Sequence, residues 1–267
     1  MQTTVEASVT EPPSVSGRSV SLSGVTRAYR TKRGRTVALE GLDLQVAEGQ
    51  ILGVVGPSGC GKSTLLEMIT GLQEPDEGAV EVGGAADAKG RRDLCSYMPQ
   101  RDLLLPWRDA LGNAALALES QGVSRRQARE RAAPLFARFG LADFERSRPR
   151  ALSGGMRQRV AFMRTLLPGR PVLTLDEPFA SLDAITRTDM QQWLADALTA
   201  EPRTVVLVTH DVEEALFLSD RVVVLSRRPG RVVEEIEVGL GRPRDRRAAV
   251  TDPQLARLRD RALEALR

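Results

Sequence analysis

The chain has 267 residues, 42% hydrophobic and 27% charged, the profile of a water-soluble globular protein and the length of an α/β domain with an inserted lobe. Its 38 basic and 35 acidic side chains leave a formal charge of +3, too weak to imply nucleic acid by itself even though the isoelectric point is near 9.2. No apolar run approaches the roughly 18 residues that suggest a membrane span, and two cysteines, Cys60 and Cys95, are too few for a disulfide framework and fit a reducing compartment.

Residues 1–17 are rich in Ser, Thr, Val and Pro but have neither a basic start nor a continuous apolar segment, so they read as a flexible tail, not a secretory signal. From Arg18 the pattern is β. Val20 and Leu22 alternate with polar residues, and after a basic loop Leu42, Leu44 and Val46 alternate again. Arg30, Lys32, Arg33 and Arg35 in that loop, and the later clusters Arg227, Arg228, Arg231 and Arg242, Arg244, Arg246, Arg247, read as solvated loop charges, with a face toward anionic lipid as the alternative. Tyr29, with Val37, offers an aromatic face to a base or is a half-buried strand aromatic.

Next comes Gly56-Pro57-Ser58-Gly59-Cys60-Gly61-Lys62-Ser63-Thr64, which fits the phosphate-binding loop G-x-x-x-x-G-K-[ST]. A short β-branched run, residues 50–55, precedes it and a helical pattern over 65–70 follows, which is the strand–loop–helix context that the motif needs. Glycines let the backbone curl so that successive N–H groups point inward, and the helix N-terminus adds its positive end. An anionic polyphosphate is the natural guest: Lys62 would reach its outer phosphates and Ser63 would offer a hydroxyl to Mg²⁺. Residues 79–82 form a further short strand closing at Gly83-Gly84, which suggests an antiparallel lobe beside the nucleotide.

From about residue 105 the character changes. Pro106-Trp107 opens a helix over 108–118, and Ser124-Arg125-Arg126-Gln127 caps a second that Gly140 ends and Pro134 should kink or split. After Leu152-Ser153-Gly154-Gly155 another helix runs to Leu167. An apolar strand, 172–175, then delivers Asp176-Glu177 at its C-terminal end, where open α/β sheets place their chemistry. Asp176 would hold a Mg²⁺-bound water and Glu177 would orient the attacking water. Ser181-Leu182-Asp183 starts a helix with Trp193 and Leu194 on its apolar side. Residues 204–208 form a buried strand ending in Thr209-His210-Asp211, and His210, the single histidine, is a candidate γ-phosphate contact. Finally, Asp252-Pro253 caps a helix with Leu255, Leu258, Ala262 and Leu266 on one face.

Over residues 19–238 these motifs, in this order, resemble the nucleotide-binding subunits of ABC transporters. Leu152-Ser153-Gly154-Gly155 is similar to that family's signature, Gln100 in Met98-Pro99-Gln100 to its Q-loop, Ser181-Leu182-Asp183 to its D-loop, and His210 to its switch histidine. The resemblance implies a P-loop NTPase (RecA-like) α/β core with an antiparallel β lobe and an inserted α-helical subdomain. It divides the chain into a tail at 1–17, an ATPase domain at 18–238 with the helical subdomain about 101–160, and an extension at 239–267. It also implies ATP and Mg²⁺ as cofactors and a homodimer in which each ATP lies between one subunit's phosphate loop and the other's signature, so that Ser153, Gly154, Gly155 and Asp183 serve the partner's nucleotide. Within a subunit Tyr29 would stack on adenine, residues Gly56 to Thr64 would cradle the phosphates, and Ser63, Gln100 and Asp176 would surround Mg²⁺. Catalysis would fall to Glu177, His210 and Lys62. Met156 departs from the commonest signature, which has Gln there, and Phe162-Met163 replace smaller residues.

The resemblance further implies separate membrane permease subunits, docked between helical lobe and core near Gln100, and a solute-binding protein, with the chain peripheral on the cytoplasmic face of the membrane. Trp107 would line the docking groove or be a buried lobe aromatic. Leu105-Pro106-Trp107-Arg108, Asp176-Glu177-Pro178-Phe179 and Arg228-Pro229-Gly230-Arg231-Val232-Val233 look like importer ATPases for nitrate, sulfonates and taurine. Importers of thiamine precursors look similar; an exporter motor and a soluble ATPase acting on nucleic acid or ribosomes are the competing classes, and the expectation is no nucleic acid.

Overall fold

The computed structural model describes residues 17–31 and 34–267. Residues 1–16 of the expected tail, and Lys32 and Arg33 of the basic loop, lie outside the described residues. The alternating pattern after Arg18 folds as a long antiparallel hairpin, β1 (Val20–Thr31) with β2 (Gly34–Val46), in which Val20 faces Val46 and Thr31 faces Gly34. Strand β4 (Glu77–Val82) pairs with the other edge of β1. Leu42, Leu44 and Val46 are buried while the residues between them are exposed, so this three-stranded sheet turns one face to the core.

The second sheet has six strands in the order β5 (Cys95–Met98), β6 (Val172–Asp176), β7 (Thr204–Thr209), β3 (Ile51–Val55), β8 (Arg221–Leu225) and β9 (Val232–Glu237). All neighbours run parallel except β9, which is antiparallel to β8. Every residue of β3, β6 and β7 is buried, as expected of parallel strands covered on both faces. Because these three adjoin, their C-terminal ends meet at one edge of the sheet. That edge carries the phosphate loop, Asp176-Glu177 and Thr209-His210.

Helix α1 (Lys62–Ile69) follows the phosphate loop, and α2 (Ala88–Leu94), capped by the Asp87 carboxylate, leads into β5. The helix expected over 108–118 is two short ones, α3 (Ala110–Ala114) and α4 (Leu116–Ser120), joined at Ala115. Asn113 is fully buried and donates to the Leu105, Arg108 and Asp109 carbonyls at 3.1, 3.3 and 3.0 Å, binding the start of α3 to the loop before it. Helix α5 (Arg125–Arg138) runs unbroken through Pro134, so of the expected kink or split the split does not occur. Pro134 and Glu130 are both exposed, so the carbonyl that loses its partner faces water.

Helix α6 (Gly154–Leu166) joins the lobe to the core. Phe162 and Met163, where smaller residues were expected, are buried, and the Phe162 ring lies 5.9 Å from Trp193 and 6.1 Å from Phe179. These larger side chains fill the junction of α6 with α7 (Ala184–Ala200) and the loop after β6. Beyond β7, α8 (Val212–Leu218) precedes β8, and α9 (Arg246–Val250) and α10 (Pro253–Ala265) complete the chain. Leu255 and Ala262 of α10 are buried, with Leu258 and Leu266 packed beside them, against Val212 and Leu216 of α8 and Ile236 of β9.

The basic clusters are not merely solvated loops. Arg244 is buried and donates to the carbonyls of Leu216 at 3.1 Å and of Phe217 and Ser219 at 2.8 Å, satisfying the otherwise orphaned C-terminal end of α8. Arg246 lies 5.2 Å over the Phe217 ring and donates to Gln191 at 3.0 Å, Arg242 pairs with Asp220, and Arg231 pairs with Glu40 at 2.7 Å.

Candidate functional site

The loop between β3 and α1 can close only with glycine at Gly61. Its φ is +110°, and a Cβ there would stand 2.7 Å from Leu39 Cδ2 and 2.9 Å from the Ala38 carbonyl oxygen. The loop thus packs against β2. Together they wall a cavity of about 370 Å³ lined on one side by Tyr29, Thr36 and Ala38 and on the other by Asp176 and Glu177. Ser58, Gly59, Gly61, Lys62, Ser63 and Thr64 form its floor, and Gln100 reaches it from beyond β5. Gly56, Pro57 and Cys60 support the loop from behind. The Lys62 ammonium donates to the Gly56 and Pro57 carbonyls at 2.7 and 3.1 Å, and Cys60 is buried. Both cysteines are free thiols.

Tyr29 is fixed by its hydroxyl, which donates to Gln73 Oε1 at 2.8 Å and shares a hydrogen bond with Thr64 Oγ1 at 3.1 Å. The Arg27 guanidinium lies 5.2 Å from the ring centroid. Val37 stands opposite Ala28 in the hairpin and is not part of the cavity wall; its neighbours Thr36 and Ala38 are.

At the acidic end, Asp176 is 3% exposed. Burial pushes its carboxyl above the usual range, the hydrogen bond from Ser63 opposes that rise, the Glu177 charge adds to it and the Lys62 charge again opposes it. Glu177 adopts φ +48°, rare for a residue with a Cβ, and is held there by its N–H, which donates to the Val208 carbonyl at 2.8 Å. Its Oε2 accepts from Gln100 Nε2 at 3.0 Å and lies 3.5 Å from His210 Nδ1. Gln100, Glu177 and His210, from the ends of three neighbouring strands, therefore meet at one carboxylate.

Other residues singled out in the sequence lie elsewhere. Ser153 caps α6, its Oγ accepting from the Met156 N–H at 3.2 Å, and Gly154 and Gly155 form the first turn of that helix. Asp183 caps α7; its carboxylate accepts from the Thr186 N–H at 3.0 Å, which holds its pKa below the ordinary value. None of these four lines the cavity. They adjoin one another instead: a Cβ on Gly155 would stand 3.3 Å from Leu182 Cδ2 and 3.8 Å from the Ser181 carbonyl oxygen. Trp107 is 68% exposed, which rules out the buried-aromatic alternative. A second cavity of about 530 Å³, between β5 and helices α4 and α6, is lined by Tyr97, Leu116, Arg164 and Arg170, and Trp107 lies outside it. Arg228 also lines the nucleotide-sized cavity, though the sequence marked it only as one of a basic cluster and as part of a segment resembling importer ATPases, not as a nucleotide contact.

Among the described residues no helix is long and apolar enough to cross a membrane. The chain matches the ABC transporter family over residues 39–180. It is 47% identical over 200 residues to the formylaminopyrimidine import ATP-binding protein ThiZ of Halalkalibacterium halodurans, covering 75% of this chain and 78% of that protein. With the aliphatic sulfonates import ATP-binding protein SsuB 1 of Rhodococcus jostii it shares 45% identity over 245 residues, 92% of both. Its fold is similar to that of the ATP-binding cassette MJ0796, solved as a dimer in a post-hydrolysis state with ADP and Pi, at a TM-score of 0.76 and 32% identity over 83% of this chain and 100% of that one. A match over more than half of the sequence and relatives covered over three quarters or more of their length give one answer: the chain belongs to the ABC transporter family, as an ATP-binding subunit that hydrolyses ATP.

Proposed function

We propose that this subunit powers the import of a small solute through separate permease subunits, as a peripheral protein on the cytoplasmic face of the membrane with a solute-binding protein as the delivering partner and no nucleic acid involved. The observation that carries the mechanism is the shared carboxylate of Glu177, with Gln100 at 3.0 Å and His210 at 3.5 Å beside the phosphate loop.

In this reading Tyr29 presents its ring to adenine while the N–H groups of Ser58, Gly59 and Gly61 to Thr64, the loop residues that line the cavity, and the Lys62 ammonium hold the phosphates. Glu177 accepts a hydrogen bond from the attacking water and takes up its proton as the water oxygen bonds to the γ-phosphorus and the bond to the β-phosphate breaks. His210 holds the γ-phosphate. Ser63, Gln100 and Asp176 supply hard oxygen donors of the kind Mg²⁺ prefers, and Ser63 already donates to the Asp176 carboxylate. When bound, Mg²⁺ neutralises charge on the β- and γ-phosphates.

Ser153, Gly154, Gly155 and Asp183 would serve the nucleotide of a second subunit, paired head to tail; their position away from the cavity and against one another supports this. Residues 18–238 form the ATPase unit in this account, with the helical lobe about 101–160 and an extension at 239–267. The exposure of both Leu103 and Trp107 supports a permease contact at the lobe. A sulfonate-, nitrate- or taurine-type solute is the leading assignment, and the higher identity to ThiZ favours a formylaminopyrimidine-type solute as the second.

The test is recovery of tagged protein from gently solubilised membranes, with partners identified and Mg-ATP hydrolysis assayed with and without candidate solutes. Co-purifying permease and binding protein with solute-stimulated turnover are the expected result. Soluble or ribosomal partners alone would overturn the import reading.

A further inference from the structure

The turn between β8 and β9, residues 226–231, is held from three sides. Ser226 Oγ donates to the Pro229 carbonyl at 2.8 Å and accepts from the Arg231 N–H at 3.0 Å. Gly230 lies across β2, its N–H donating to the Ala38 carbonyl at 2.8 Å and its carbonyl accepting from the Glu40 N–H at 3.2 Å. It also presses on the phosphate loop so closely that a Cβ there would stand 2.2 Å from the Cys60 carbonyl oxygen. The turn is a wedge between the antiparallel lobe and the loop.

From this wedge Arg228 extends over the loop. Its Nε donates to the Gly59 carbonyl at 2.9 Å, and it walls the same cavity as Lys62, Asp176 and Glu177. Among the described residues its two Nη groups, which carry four of the five N–H donors, have no hydrogen-bond partner or carboxylate. The nearby acids are engaged otherwise, Asp176 with Ser63 and Glu177 with Gln100. Tyr29 stands at Thr64, on the helix side of the loop, whereas Arg228 stands at Gly59, at the loop's turn. Its charge is felt within the loop: burial raises the Cys60 thiol pKa, and the charges of Lys62 and Arg228 both oppose the rise.

We propose that Arg228 is a nucleotide-binding residue, anchored through Nε to the Gly59 carbonyl and gripping the polyphosphate of ATP with its two Nη groups. A planar guanidinium matches a pair of phosphate oxygens, which a lysine ammonium cannot do. Lys62 and Arg228 are then two cations of one phosphate site, one inside the loop and one over its turn.

The experiment is a fluorescence titration of the full chain, as parent, Arg228→Gln and Arg228→Lys, with N-methylanthraniloyl-ATP and N-methylanthraniloyl-AMP at two salt concentrations. Glutamine can still donate to the Gly59 carbonyl but carries no charge. Arg228→Gln should raise the Kd for the triphosphate by about tenfold, leave the monophosphate within about twofold and weaken the salt dependence, while Arg228→Lys recovers part of the loss. Unchanged triphosphate affinity in Arg228→Gln overturns the proposal. So does an equal loss for both nucleotides, which would make Arg228 a support for the loop; parent binding in the same titration reports separately on ATP recognition.

Discussion

Gln100 and Glu177, 77 residues apart in the chain, are joined by a hydrogen bond of 3.0 Å from the glutamine amide to the carboxylate. Gln100 stands just beyond β5, where the chain leaves the core for the helical lobe, and Glu177 stands at the end of the adjoining strand β6. Any displacement of the lobe against the core therefore acts on the orientation of this carboxylate.

Replacing Glu177 with Gln keeps the size and the hydrogen-bonding shape of the side chain but removes the proton acceptor. Turnover should fall by about a hundredfold or more while ATP affinity stays near parental. With ATP present, size-exclusion chromatography should show an accumulated dimer. Hydrolysis at the parental rate would remove Glu177 from the role assigned to it.

Lys62→Ala should act on binding itself. Lys62 is 6% exposed and its ammonium is held among the loop carbonyls, so its loss removes a buried positive charge from the phosphate site. ATP affinity should drop by at least tenfold in a fluorescence titration, whereas Glu177→Gln should not move it.

Glu214 gives a pH prediction of definite sign. It is 3% exposed, and burial pushes its pKa up to about 7, with the neighbouring Asp211 adding to the rise and hydrogen bonds from Thr209 and Gln191 and the Arg187 charge opposing it. Between the ordinary glutamate value and about 7 the folded protein holds a proton that the unfolded chain has released, so stability falls as pH rises across that window and levels off above it. Glu214→Gln can keep the hydrogen bond from Gln191, 3.0 Å in the parent, without the charge. It should be close to neutral at pH 5 and raise the unfolding temperature at pH 8; equal effects at both would show that Glu214 is not the titrating group.

Arg244→Ala should be among the more destabilising changes outside the site. It leaves the carbonyls of Leu216, Phe217 and Ser219 without their donor in a buried place. A loss of about 3 kcal/mol and a fall of several degrees in Tm are expected by thermal unfolding, with ATP affinity unchanged. The same change at exposed Arg126, whose only ion pair among the described residues is a 3.7 Å contact to Glu130, should be nearly silent.

The sequence made the nucleotide end of the molecule readable because its parts are contiguous: a buried strand, a glycine loop and a helix within 20 residues, and an apolar strand ending in two acids. Arg228 was not readable as a cavity residue, since it reaches Gly59 from 169 positions away through a turn whose placement depends on Gly230 lying against Cys60. The same holds for Arg244, whose role follows from where α8 happens to end. Pro134 misled in part: a local rule foretold a kink or a split, and the split does not occur, because the freed carbonyl is on the wet side of α5 and the helix tolerates it. Trp107 was undecidable from pattern, because a helix-flanking aromatic reads alike whether it faces the core or the solvent.

Ser153, Gly155 and Asp183 lie outside the cavity that holds Lys62 and Glu177. If they complete the site of a second copy, the reaction rate becomes a matter of encounter. Diluting the subunit should lower the ATP consumed per molecule, tethering two copies should abolish that dependence, and the curve of rate against ATP should be sigmoidal because two nucleotides are needed to hold one pair together.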